Sequence, residues 1–184
     1  VKRIAAAIAP VAQVLEQQLQ TDQRSLERVA LRRLSEAVVS TGSLPSIWHQ
    51  IVSTVRDVVG ADRVALWEWD EAALRQDFLA VVGVDDPTLR AALTDPLQSA
   101  PEVWDALRTR HTVVLDLNHV TPGTSARDLS TRLGLRELAV VPVHHEGQTI
   151  GFLTIGYRQL GHLSDRVLEL VETVANHVAA AMVT

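Results

Sequence analysis

Leu138-Ala-Val-Val-Pro-Val143, the polar joint His144-His-Glu-Gly147, and Thr149-Ile-Gly-Phe-Leu-Thr-Ile-Gly-Tyr157 form the most informative stretch of this chain. Two apolar runs joined by a short polar segment containing Gly predict a β-hairpin. Both runs are apolar at nearly every position, and such strands are covered on both faces. After a short loop, Ser164 is placed to cap a helix. Its apolar residues Val167, Leu168, Leu170, Val171, Val174, Val178 and Ala181 recur at helical spacing. The chain therefore ends strand, turn, strand, helix.

Upstream, Ser125 is read as the cap of a short helix ending near Gly134. Before it, Asp116 to Ser125 is a loop with Pro122-Gly123, and Thr112 to Leu115 a third strand. Two short helices are expected earlier, at Pro87 to Leu93 and at Pro101 to Arg110 with Ser99 as cap. Arg63 to Trp69 and Gln76 to Val82 read as strands joined by a turn at Asp70 to Ala73. Along the first of these, Trp67 and Trp69 fall on one side, Val64 and Leu66 on the other. Ser43 caps a helix with Pro45 in its first turn, running through Ile47, Ile51, Val55 and Val58 to Gly60. Short turns between neighbouring strands imply antiparallel pairing, and helices packed on such a sheet make an α+β fold. The first and last helices can cover one face and the short central helices the other, leaving a cavity between.

Residues 1 to 39 hold a narrow apolar seam at Ile4, Ile8, Val11, Leu15 and Leu19 that resumes at Leu26 and Leu34. This reads as a long helix of coiled-coil type, with a phase shift near Asp22. It is either a signalling helix pairing with its twin or a helix lying on its own domain. We divide the chain into this helix, 1–40, and a domain, 41–184, whose last helix, 164–183, leads on to an output domain. The first residue is Val, which reads as a piece of a larger protein.

The chain has 184 residues, 47% of them hydrophobic, as in a globular domain. The apolar run Ile4 to Ala12 is broken by Pro10 and falls short of the roughly 18–20 residues that cross a bilayer. No membrane contact is expected. Net charge is −5, against a nucleic-acid footprint. Arg24, Arg28, Arg32 and Arg33 are interleaved with Asp22, Glu27 and Glu36, the pattern of a mixed solvated surface. The absence of Cys removes disulfides, thiolate-bound zinc, thiol nucleophiles and thioether-linked cofactors. It is compatible with a reducing compartment, and the expected location is cytoplasmic. No catalytic triad order, carboxylate pair or phosphate-binding glycine loop stands in supporting context, so no catalytic residues are assigned and the domain is read as not an enzyme.

Three pieces, in order and spacing, resemble the GAF family of small-molecule-binding regulatory domains over roughly residues 26 to 184. They are the helix-glycine-strand unit Ile47 to Trp69, the segment Ala106 to Asp116, and the closing hairpin and helix with Pro142, Gly147, Gly151 and Ser164. PAS domains share the sheet and the purpose and are the second choice. The resemblance implies a PAS-related antiparallel sheet of five to six strands. It places the N- and C-terminal helices on one face and short helices and loops over the other. It implies a bacterial sensor domain of a signal-transduction protein, such as a histidine kinase, a cyclic-dinucleotide enzyme or a transcriptional regulator. Its partners would be a small-molecule effector and a second copy, forming a homodimer through the terminal helices. The family's cyclic-nucleotide signature requires an Asn-Lys pair, and the single Lys here is Lys2. Without Cys, covalent bilin attachment and cysteine-based sulfoxide reduction are excluded, so a ligand is held non-covalently and its identity is open. The rival readings are a ligand-free dimerisation module and a haem gas or redox sensor using His111 or His119.

The candidate ligand-binding residues are Trp67, Phe78, Trp104 and Phe152 as aromatic walls, with His111, Asp116, Ser125, Arg127 and Asp128 as polar groups. Aromatic walls with a few polar groups suit a small-molecule site. The same Trp residues also suit a plain core. The helix start at Ser125 with Arg127 suits a carboxylate, nitrate or phosphate, and equally suits a capped helix whose Arg127 and Asp128 face water. No metal ligands are assigned: His144 and His145 point apart, while His49 and His177 have no histidine partner at helical spacing.

Overall fold

A computed structural model describes residues 43–85 and 101–183, together with 24, 25, 28, 29, 32, 33 and 87. Those six N-terminal residues are helical and exposed. The rest of the expected helix 1–40, the remainder of Pro87 to Leu93 and the Ser99 cap lie outside the described residues.

Five strands form one sheet: β1 Arg63–Asp70, β2 Arg75–Val82, β3 Val113–Asp116, β4 Glu137–His145 and β5 Gln148–Tyr157. Their order is β2-β1-β5-β4-β3, and every adjacent pair is antiparallel. Four continuously described helices accompany them: α1 Leu44–Val59, α2 Pro101–Thr109, α3 Ser125–Arg132 and α4 Asp165–Met182. This is the α+β architecture expected, with the lower of the two strand counts.

The polar joint of the hairpin is tighter than four residues. β4 runs on through His145, and the turn is Glu146-Gly147 alone, with φ of 48° and 79°. Two successive left-handed residues make a primed turn, whose twist matches that of the flanking strands.

Alternation sorts the sheet residues into two cores. Val64, Leu66, Ala139, Val141, Leu153 and Ile155 meet Ile51 and Val55 of α1 and Val171, Val174 and Val178 of α4. Ala65, Trp67, Trp69, Leu138, Val140 and Phe152 form the opposite face, under Val103, Ala106 and Leu107 of α2. Leu115, Leu117, Val120 and Leu135 complete that second core. The terminal helices of the domain thus share one face and α2 covers the other. Burying each large aliphatic side chain of this kind contributes about 1.5–3 kcal/mol.

The helix ends follow local chemistry. Gly60, at φ 63°, ends α1 with its N–H donated to the Arg56 carbonyl. Ser164 caps α4, its hydroxyl accepting from the Val167 N–H. At α1, Ser43 holds the cap position, but its hydroxyl bonds the Ser46 hydroxyl at 3.0 Å and no backbone amide. The cap expected of Ser125 is corrected: Ser125 is the first residue of α3. Thr124 does the capping, its Oγ1 accepting from the Arg127 N–H at 3.3 Å.

Candidate functional site

The face under α2 carries a row of aromatic rings. In register, Phe78 of β2, Trp67 of β1, Phe152 of β5 and Pro142 of β4 lie side by side. Trp67 stacks on Phe152 with centroids 5.8 Å apart and meets Phe78 edge-on at 5.4 Å. Phe78 reaches this face through a bulge in β2. Leu66 pairs with Ala80 and Trp67 with Phe78, so Leu79 is the extra residue. Leu79 and Ala80 then both serve the opposite core, and Phe78 returns to Trp67. Trp104 of α2 does not join this row; it meets Trp69 edge-on at 4.9 Å.

Among the described residues four buried polar side-chain atoms are unpaired. Arg63 Nε, Trp67 Nε1, Thr154 Oγ1 and Glu102 Oε2 are buried with no hydrogen-bond partner. Arg63 shares the period-two parity of Ala65, Trp67 and Trp69, so it starts on their face. Thr154 stands opposite Ala65 on β5, diagonal to both Arg63 and Trp67. Glu102 lies on the helix that covers this face, its other oxygen accepting from the Thr121 N–H and hydroxyl at 3.3 and 3.1 Å. Leaving a buried donor or acceptor unpaired costs about 1–3 kcal/mol each.

The other candidates fall into two places. The Asp116 carboxylate accepts from the Asn118 N–H and side-chain amide, both at 3.0 Å, and lies 3.0 Å from His119 Nδ1. The Asn118 backbone bond foremost, with His119 beside it, holds its pKa below the usual carboxylate range. The Arg127 guanidinium donates to the Val120 and Asn118 carbonyls, tying this loop to α3. Asp128 is exposed, and Ser125 sits at the start of the same helix. His111 stands apart. It is exposed and borders a cleft of about 240 Å³ with Arg110, Pro142, His144 and Glu172. Among the described residues no group of three or more His, Asp or Glu is arranged to hold a metal ion.

Arg63, Thr154 and Glu102 are missing from the residues chosen by sequence. A charged residue at the first position of a strand reads as solvent-facing. Its parity with Ala65, Trp67 and Trp69 was the signal that pointed inward.

An antiparallel sheet ordered 2-1-5-4-3, with terminal helices on one face and an aromatic layer under a short helix on the other, is the plan of a regulatory sensor fold. The GAF domain family model matches residues 43–182, and the chain belongs to that family. No curated protein sequence matches it. Solved structures share the fold. The GAF domain of a phosphoenolpyruvate-protein phosphotransferase from Coxiella burnetii matches with a TM-score of 0.69 at 17% identity, covering 85% of this chain and 92% of that one. The phycoerythrobilin-bound GAF domain of a cyanobacterial phytochrome matches at 0.58 and 16%, covering 87% and 93%. The GAF domain of a two-component sensor histidine kinase from Bacillus halodurans matches at 0.54 and 20%, covering 71% and 90%.

Proposed function

We propose that this GAF domain is a regulatory sensor that binds a small molecule non-covalently between its sheet and α2, and passes the bound state through its terminal helices to an output domain. The observation that carries the reading is the buried aromatic row Phe78, Trp67 and Phe152, with the Trp67 indole N–H and the nearby Thr154 hydroxyl lacking a protein partner. A core built only for packing would leave that layer apolar. Two relatives in fold support it, one holding phycoerythrobilin and one belonging to a sensor histidine kinase. Regulation needs little energy: a coupling of about 1–3 kcal/mol gives 5- to 150-fold control.

Native mass spectrometry of the purified chain, paired with a thermal-shift panel of amino acids, nucleotides and small anions, tests this. The expected result is a bound molecule of low mass or a ligand-specific rise in Tm. A bare chain that responds to nothing leaves the ligand-free dimerisation module as the better reading.

A further inference from the structure

We propose that the cleft between the α2–β3 turn and α4 is a second binding site, for a small zwitterion of the α-amino acid class, separate from the layer under α2. The turn supplies Arg110 and His111, α4 supplies Glu172 and Asn176, and β4 contributes Pro142 and His144. β3 pairs with β4 only as far as Val140, so the cleft lies where β4 runs on without a neighbouring strand. A guanidinium and a carboxylate line the same cleft without meeting as an ion pair. Among the described residues, the side chains of Arg110, His111, Glu172 and Asn176 make no hydrogen bond or ion pair. Unlike charges that face one space attract, and here neither reaches the other.

Local structure holds the two charges in place. Arg110 follows α2 at φ 61°, a left-handed conformation that costs a non-glycine residue about 1–3 kcal/mol. Its carbonyl accepts from His144 Nε2 at 3.2 Å, and the Thr149 hydroxyl donates to the Leu107 carbonyl at 3.2 Å. The end of α2 is thus tied to β4 and β5 through its backbone acceptors, and the Arg110 guanidinium is left for a solute. Across the cleft, α4 is fixed by its buried Val171, Val174, Ala175 and Val178. Glu172 and Asn176 are exposed and stand one turn apart on one side of that helix. The cleft has a volume of about 240 Å³, below the roughly 300–1,000 Å³ of sites for drug-sized ligands. At roughly 30 Å³ per water it has room for about eight waters, or for a small amino acid. A carboxylate suits Arg110 and His111, an ammonium suits Glu172, and the Asn176 amide can serve either end. A simple anion would leave Glu172 unanswered and a simple cation would leave Arg110 unanswered. A zwitterion answers both, and in doing so bridges the end of α2 to α4.

Alanine, lactate and alaninamide share one skeleton and test this in heteronuclear NMR titrations of the chain. Lactate lacks the ammonium and alaninamide lacks the carboxylate. We expect alanine to shift the amide signals of Arg110, His111, Glu172 and Asn176 saturably, with a Kd of about 1 mM, weak because the charges are exposed. Lactate and alaninamide should each bind at least about threefold more weakly. Arg110→Gln and Glu172→Gln should each weaken alanine by about three- to tenfold. Both side chains are exposed, so Tm should stay within about 2 °C and loss of the fold does not confuse the result. Lactate binding as tightly as alanine would reduce the cleft to an anion patch and overturn the proposal. Alaninamide binding as tightly would overturn it from the other side, and so would a titration with no saturation at these positions by about 20 mM alanine. Shifts centred on Trp67 and Phe152 instead would overturn this second site while supporting the sensor reading. Shifts confined to the cleft support the second site and leave the sensor reading to its own test.

Discussion

Gly83 has φ of 82°, and a Cβ there would lie 1.9 Å from the Asp62 carbonyl oxygen. Backbone cannot yield as a flexible side chain can, so Gly83→Ala is expected to lower stability by more than about 2 kcal/mol in urea unfolding. Gly60→Ala is the comparison. Its φ is 63° but its Cβ would meet nothing within 4 Å, so only the backbone term of about 1 kcal/mol remains. Tyr157 makes a second residue-scale case. Its hydroxyl donates to the Val59 carbonyl at 2.9 Å, joining the end of β5 to the end of α1. Burial, then the nearby Glu137 and Asp62 carboxylates, push its pKa up from 10.0 to about 12. A raised folded pKa gives stability that is complete below the unfolded value and lost as pH rises through the folded one. Stability should therefore decline between about pH 10 and 12. Tyr157→Phe should flatten that decline and cost about 1 kcal/mol at neutral pH, both measured by denaturant unfolding across pH.

At the scale of elements, the buried Glu137 at the start of β4 fastens the segment that leads into α4. Its carboxylate accepts from the backbone N–H groups of Gly161, His162 and Leu163 at 3.2, 3.0 and 3.2 Å. His162 then stacks on Tyr157 with centroids 5.1 Å apart. Glu137→Leu would strand three amides and should destabilise by about 1–3 kcal/mol, with faster hydrogen exchange at residues 161–163. Glu137→Gln, which keeps one carbonyl acceptor, should lose less. The elements themselves were legible where period and punctuation agreed. Pro45 and Gly60 bracket α1, Ser164 opens α4, and the apolar runs of β4 and β5 flank a glycine turn. Legibility failed where two residues offer the same chemistry one position apart. Thr124 and Ser125 both carry a capping hydroxyl, and only the path of the loop decides that Thr124 faces the Arg127 amide.

For the molecule as a whole, α1 and α4 pack together on the face opposite the aromatic layer, so a change in that layer must reach them through the sheet. The proposed relay needs a dimer joined by the terminal helices. Sedimentation equilibrium should find a dimer for the 184-residue chain and a lower mass for one lacking residues 1–25. Equal monomeric masses would remove the dimer relay and leave the ligand site untouched. Among the described residues no helix is long and apolar enough to cross a membrane. A second cleft, of about 580 Å³, opens where the end of α4 meets the β1–β2 turn, between Met182, Val183, Glu68 and Asp70. It lies at the exit of the helix that is proposed to carry the signal.

Local chemistry in the chain specified the α+β class, the two-sided burial of β4 and β5, and the separation of Trp67 and Trp69 from Val64 and Leu66. Period, turn residues and caps act over a few residues, so they are written in the sequence itself. The site was another matter. A bulge at Leu79 turns Phe78 toward Trp67, and the path of α2 carries Trp104 to Trp69 instead. Arg63 looks like an ordinary surface cation until the fold closes over it and leaves it 5% exposed. Whether a charge is buried depends on residues distant in sequence that packing brings near, and no local pattern records that.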